Sequence, residues 1–213
     1  MSKTRTSTMQ GHSVLEDFCT CCRRLYERHL VSGVGGNMAI RIGKTTYLSP
    51  SGYSLGSLQP GNVVVFEDGR YRSRGVKATQ DAAMHLAILD ARPDVHAVCH
   101  VHGAALIAAS TLLEPGPESL PPLTPGFACF AHPLPMLPFM VPGSEKLARA
   151  VNEALSVAPS RAVLLQNHGL VTVGRDFEEA LNIAEEIDEV AKIYVFTNGK
   201  ARPIPADELA KIG

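Results

Sequence analysis

Leu164-Leu-Gln-Asn-His-Gly-Leu-Val-Thr-Val-Gly174 is two apolar runs joined through Asn-His-Gly. Short runs rich in Leu and Val read as buried strands, here over residues 162–166 and 170–173, with a tight turn between them. Gly169 permits that turn and would hold His168 at a strand terminus. A second histidine-bearing run lies upstream, where residues 95–102 read as a strand ending in His100-Val-His102. Residues two apart on a strand point to one face, so both imidazoles can reach a common ion without distorting the backbone. With His168 as a third neutral ligand, the ion keeps its charge and an open coordination position, the arrangement of a catalytic rather than a structural metal site. The chain carries eight histidines in 213 residues, enough for a His-x-His pair to arise by chance, so spacing alone leaves packing and ligation both open.

Composition narrows the partners. A hydrophobic content of 45% over this length supports a full core in one domain. Twenty basic and 21 acidic residues leave a formal net charge of −1, which offers no bulk attraction to nucleic acid or a membrane surface and points to a small-molecule partner. No apolar stretch reaches transmembrane length, and residues 1–12 lack the apolar centre of a signal peptide, so a cytoplasmic location is expected. The five cysteines are an odd number. Cys19, Cys21 and Cys22 crowd one predicted helix, where they cannot pair with one another, and Cys19 and Cys22 fall on its apolar stripe as small hydrophobes.

That first helix starts at Ser13, which forms a capping box with Glu16, and is expected to end near residues 31–33. Strands are expected at 38–42, 46–48 and 63–66, a helix at 82–91 stopped by Arg92-Pro93, and another at 104–113. The Pro- and Gly-rich stretch 114–125 reads as a surface loop. Beyond it the pattern gives strands near 127–130 and 134–139, a helix at 144–155, and a long helix opened by Asp176 and Glu179. Phe177, Leu181, Ala184, Ile187, Ala191 and Tyr194 form the apolar stripe of that last helix. Residues 200–213 read as a tail. The fold expected is α/β, in layers around a mainly antiparallel sheet.

Three segments offer places for an anion. Gly33-Val-Gly-Gly-Asn37 and Ser49-Pro-Ser-Gly52 are loops whose backbone N–H groups can converge on a phosphate, though each is also consistent with a plain turn. Lys77-Ala-Thr-Gln-Asp81 runs into a predicted helix N-terminus. Asp81 itself reads equally as the N-cap of that helix.

Taken in order, Gly35-Gly-Asn37, Ser49-Pro-Ser-Gly52, the stretch 81–102 and Asn167-His168-Gly169 resemble the class II aldolase/adducin family over residues 13–197. That family includes fuculose-phosphate aldolases, pentulose-phosphate 4-epimerases, sugar-acid decarboxylases and the non-catalytic adducin head. The resemblance implies a three-layer α/β/α fold with a central, mostly antiparallel sheet. It also implies a homotetramer with active sites at subunit interfaces and a Zn²⁺ ion, or Mn²⁺ or Co²⁺, on His100, His102 and His168. A sugar-phosphate substrate is implied at positions matching Gly36, Asn37, Ser51, Gly52, Thr79 and Gln80, and a proton-transferring acid at Asp81.

Within the family, Ser49-Pro-Ser-Gly-Tyr-Ser-Leu-Gly56, Lys77 and Leu120-Pro-Pro-Leu-Thr-Pro125 look most like the 3-oxo-tetronate 4-phosphate decarboxylases. Three positions depart from the family pattern. Asp81 stands where aldolases and decarboxylases carry Glu, Gln80 where decarboxylases tend to carry Lys, and Phe139 at a position that in aldolases resembles a tyrosine acid. A phenyl ring donates no proton, so the reading expected is decarboxylation through a metal-stabilised enediolate, ahead of aldol cleavage or epimerisation. His12, His29, His96 and His132 are left as surface or packing residues, and His85 as structural.

Overall fold

The capping box of Ser13 and Glu16 opens the first helix: Glu16 N–H donates to Ser13 Oγ and Ser13 N–H to Glu16 Oε2. An N-cap of this kind contributes about 1 kcal/mol. The computed structural model describes residues 13–73, 75–156 and 160–212. Residues 1–12, His12 among them, lie outside it. Helix α1 (Val14–Glu27) ends a turn before the expected 31–33. His29 enters the left-handed region at φ 58°, and Leu30 N–H and His29 N–H fold back to the carbonyls of Leu25 and Tyr26. This is a Schellman stop with histidine in place of glycine, locked by burial of Leu25 and Leu30.

After it come β1 (Asn37–Ile42), β2 (Thr45–Leu48), β3 (Val64–Glu67), β4 (Arg70–Tyr71), α2 (Ala82–Ala91), β5 (Ala97–Val101) and α3 (Ala104–Leu112). Then follow α4 (Pro125–Phe130), β6 (Met136–Leu137), α5 (Glu145–Leu155), β7 (Ala162–Leu165), β8 (Gly169–Gly174), α6 (Phe177–Phe196) and α7 (Ala206–Leu209). The strands form one sheet in the order β4-β3-β2-β1-β5-β8-β7-β6. Every pairing is antiparallel except β6 with β7. The mostly antiparallel α/β/α expectation is met.

Residues 127–130 are a correction. They belong to α4, not to a strand, because Thr124 caps Phe127 N–H and Pro125 occupies the first helical position. That Thr-Pro start outweighs the β-like look of Phe-Ala-Cys-Phe. The strand expected at 134–139 shrinks to β6, and the short strand β4 and the terminal α7 carry no strong pattern in the sequence.

The sheet separates two apolar cores. Ala97, Cys99 and Val101 of β5 pack with α1, α3, α4 and α6, whereas Val98 packs with α2 and α5. By strand alternation His100 shares the parity of Val98, so it faces the α2 side. No helix among the described residues is long and apolar enough to cross a membrane.

Candidate metal centre and active site

Strand β5 and the β7–β8 turn bring the three histidines together at one end of the central strands. His100 Nε2 lies 2.9 Å from His102 Nε2 and 3.3 Å from His168 Nε2, and one nitrogen of each ring falls within 4.8 Å of the others. Two nitrogens held roughly 2.0–2.1 Å from a tetrahedral ion stand about 3.3 Å apart, so the rings fit a zinc-type ion. His100 Nδ1–H donates to the Leu170 carbonyl at 3.1 Å, which leaves its Nε2 lone pair directed into the cluster. Burial holds all three imidazoles below their ordinary pKa: His100 well below, with the neighbouring rings adding to the effect, His102 to about 4, and His168 in the same direction. Neutral imidazole is the ligating form.

The turn carrying His168 uses the residues on both sides of the histidine. Asn167 takes the left-handed conformation, at φ 55°, and His168 N–H closes the turn on the Leu165 carbonyl. Gly169 is required both by its backbone, at φ 159°, and by space. A Cβ there would lie 2.2 Å from the Val101 carbonyl oxygen and 2.9 Å from the His102 ring. The strained Asn167 is clamped from the neighbouring layer by Ser110 of α3. The fully buried Ser110 Oγ accepts Asn167 N–H at 2.9 Å and donates to the Ile107 carbonyl. Sequence reasoning missed Ser110, and no motif marks it.

Asp81 occupies the N-cap position of α2, yet its side chain caps nothing. Asp81 Oδ2 accepts a hydrogen bond from Asn37 Nδ2 at 2.8 Å and lies 4.0 Å from His100 Nε2. The other end of the Asn37 amide, Oδ1, meets the fully buried His85 Nε2 at 2.5 Å. Burial pulls His85 down to about 4, opposed by the charge of Asp81. Asp81 also borders a cavity of about 370 Å³ between α2 and α5, shared with Gln80, Gly143, Ser144 and Arg149.

The three candidate anion segments converge beside this carboxylate. Ser51 N–H donates to the Lys77 carbonyl and Thr79 N–H to the Ser49 carbonyl, so the loop at 49–52 and the segment 77–80 form a two-bond ladder. Ser49 in turn pairs with Met38, N–H to carbonyl and Oγ from N–H, which ties the ladder to β1 next to Asn37. The amides of Ser51 and Thr79 are thus occupied. Gly52, Gln80 and Lys77 are exposed, Ser51 half-buried and Thr79 buried. Gly36, at φ 80°, leaves no room for a side chain: a Cβ would lie 2.4 Å from Val31 Cγ1 and 2.9 Å from the His100 carbonyl oxygen. The Asn37 amide is engaged at both ends, by Asp81 and by His85, and it has one further N–H to donate.

The remaining histidines stand apart from the cluster. His29 ends α1, His96 is exposed, and His132 pairs with Glu118 at 3.2 Å. A larger cavity, about 660 Å³, lies over the first half of α6 among Cys129, Phe130, Arg175 and Glu186 and contains no histidine.

The model of the class II aldolase and adducin N-terminal domain matches residues 16–195. The chain belongs to the class II aldolase and adducin family. It is 33% identical over 187 residues to an L-fuculose phosphate aldolase of Methanococcus maripaludis, covering 87% of this chain and 99% of the relative. Identity is also 33% over 182 residues to a 3-oxo-tetronate 4-phosphate decarboxylase of Haemophilus influenzae, covering 84% and 85%. Among solved structures, YgbL of Klebsiella pneumoniae, placed among aldolases, epimerases and decarboxylases, superposes with a TM-score of 0.84 at 28% identity over 95% of this chain and all of that one. An L-fuculose 1-phosphate aldolase superposes at 0.80 with 26% identity over 97% of each chain. This family member is an enzyme whose relatives are named as aldolases and decarboxylases, which are lyases, and class II aldolases depend on a divalent metal.

Proposed function

We propose that the protein decarboxylates a 3-oxo-tetronate 4-phosphate, with Zn²⁺, or Mn²⁺ or Co²⁺, held by His100, His102 and His168. The observation that carries this reading is the single carboxylate beside the cluster. Among the described residues, Asp81 is the one acid within 4.0 Å of a cluster imidazole nitrogen. When bound, the ion supplies an electrophile that stabilises negative charge developing on the substrate ketone oxygen. Loss of CO₂ from a 3-oxo acid leaves its bonding electrons conjugated with that ketone, and the only further requirement is one proton at the carbon that lost it. On this reading Asp81 takes up a proton from solvent and delivers it to that carbon, directly or through water. Retro-aldol cleavage needs a hydroxyl deprotonated and a carbon protonated, which is more than one carboxylate supplies in a single step.

The substrate phosphate rests where the glycine loop meets the ladder, against Gly36, Ser51, Gly52, Thr79 and Gln80, with Asn37 at the border. The core about residues 13–197 acts on this reading as one catalytic domain, in the cytoplasm, as a homotetramer with sites at subunit interfaces. Support for the interface comes from Phe139 and Val141, both exposed, of which Phe139 N–H is fixed to Gln166 beside the His168 turn.

The test is metal analysis followed by assay of the metal-loaded protein with 3-oxo-tetronate 4-phosphate and with L-fuculose 1-phosphate. Metal with CO₂ release supports decarboxylation. Lactaldehyde release from the fuculose ester would replace it with aldol cleavage, the second reading that the fuculose-phosphate aldolase relatives favour.

A further inference from the structure

We propose that Asn37 and His85 form a buried relay that orients the Asp81 carboxylate, which makes both positioning residues. The inference rests on Asp81 as the proton-transferring acid. Three elements build the relay. Asn37 opens β1 and is paired in register with His100 of β5, so the sheet itself sets the amide beside a metal ligand. Asp81 and His85 stand one turn apart on α2, whose buried face also carries Ala82, Met84, Ile88 and Leu89. Residues at this spacing share a helix face, and the amide bridges them.

The polarity of the chain follows from what each group can donate. A carboxylate only accepts, so the NH₂ side of Asn37 must face Asp81 and its oxygen must face His85. An amide oxygen only accepts as well, so His85 Nε2 must carry the hydrogen. The neutral ring then has a bare Nδ1, and Nδ1 of His85 is buried with no protein partner. A bare nitrogen costs less in such a place than an N–H would. The chain therefore reads His85 Nε2–H to Asn37 Oδ1, then Asn37 Nδ2–H to Asp81 Oδ2, the oxygen nearest His100. Aspartate has few rotatable bonds, and the amide fixes the one oxygen that faces the cluster. The other oxygen is left for proton exchange.

The test uses the zinc-loaded protein labelled with ring-¹⁵N histidine, and needs no substrate for its first arm. A long-range ¹H–¹⁵N correlation, with His85 assigned by its loss in His85→Gln, is expected to show an Nε2-protonated ring, and an Nδ1–H tautomer overturns the relay. The second arm is kinetic, on whichever of the two phosphate esters the wild type turns over. Glutamine can set an amide N–H where Nε2 stands, whereas asparagine reaches only the Nδ1 position. His85→Gln should lose no more than about threefold in kcat and His85→Asn about 10- to 100-fold, with bound zinc unchanged. Asn37→Asp, which sets two acceptors face to face, should lower kcat by a similar factor with bound zinc unchanged. Equal losses in the two His85 variants, or an Asn37→Asp protein with unchanged kcat, would refute it. If the wild type turns over neither ester, the reaction reading fails by itself, and the ring protonation alone decides the relay.

Discussion

Two clusters of metal-binding residue types are buried in this molecule, and burial does opposite things to them. His100, His102 and His168 lose their protons more readily than free imidazole, because desolvation disfavours the charged form. On the other side of the sheet, Cys19, Cys22 and Cys99 lie in the core and Cys21 beside it, and the same desolvation drives their thiols up, Cys21 to about 12. Neutral imidazole binds metal, but neutral thiol does not. A metal titration would separate the clusters: the wild type should take up one Zn²⁺ per chain. His100→Ala should lose that uptake and lower turnover by about 10³-fold or more, while Cys22→Ala keeps the metal. Zinc retained in His100→Ala and lost in Cys22→Ala would reverse the comparison.

The histidine cluster also depends on a clamp that the thiols lack. Ser110 holds the amide of Asn167, the residue that bears the backbone strain next to His168. Ser110→Ala removes the acceptor for a partly buried N–H and loosens the turn. Zinc affinity measured by competition with a chelator should fall about 10- to 100-fold with the fold intact. Ser110→Thr keeps the hydroxyl and should lose less. Equal affinity in wild type and Ser110→Ala would mean that His168 is placed by the sheet alone.

This clamp marks the boundary of what the sequence conveys. The strand ending in His100-Val-His102, the helix stopped at Arg92-Pro93 and the Asn-His-Gly turn are all local patterns, and residues 82–91 fold as the helix expected. Local pattern also misled at 127–130, where aromatic and small residues look β-like until the Thr124-Pro125 start is weighed. Ser110 and Asn167 are 57 residues apart, and Asn37 and His85 are 48 apart. Each is an ordinary residue in its own segment and acquires its role only when two layers pack. Asn37 was legible as part of the site, yet its link to His85 was not, since nothing in a loop residue beside glycines points to a histidine 48 residues away.

Acid should act on the histidine side of the sheet before it acts elsewhere. His85 and His102 are each held at about 4 when folded, against about 6.5 for a free imidazole. Between these values the unfolded chain binds more protons than the folded one, so stability rises with pH across the window and is lost as pH falls from about 6.5 towards 4. The salt-bridged Asp94, lowered to about 2 chiefly by its hydrogen bonds to Arg92, loses its contribution at lower pH still. Urea midpoints of metal-free protein should therefore decline from pH 6.5 to 4, and saturating Zn²⁺ at pH 6 should raise the midpoint. His85→Gln should flatten the slope, and an unchanged slope would place the acid sensitivity in other groups.

The smallest effect belongs to the thiols. All five cysteines are free, and Cys129 alone is exposed, beside the cavity over α6 that contains no histidine. Buried thiols with raised pKa react slowly because the thiolate is the nucleophile. An aromatic disulfide reagent at neutral pH should therefore titrate about one thiol per native chain, absent in Cys129→Ser. Blocking Cys129 should change zinc content and turnover less than about twofold. If Cys21 or Cys22 reacted as fast as Cys129, the helix bearing them would be opening on the assay timescale, and their silence towards metal would then come from packing dynamics rather than from protonation. Persistent silence after blocking, with zinc still bound one per chain, leaves the sign of the burial effect as the feature that separates the two clusters.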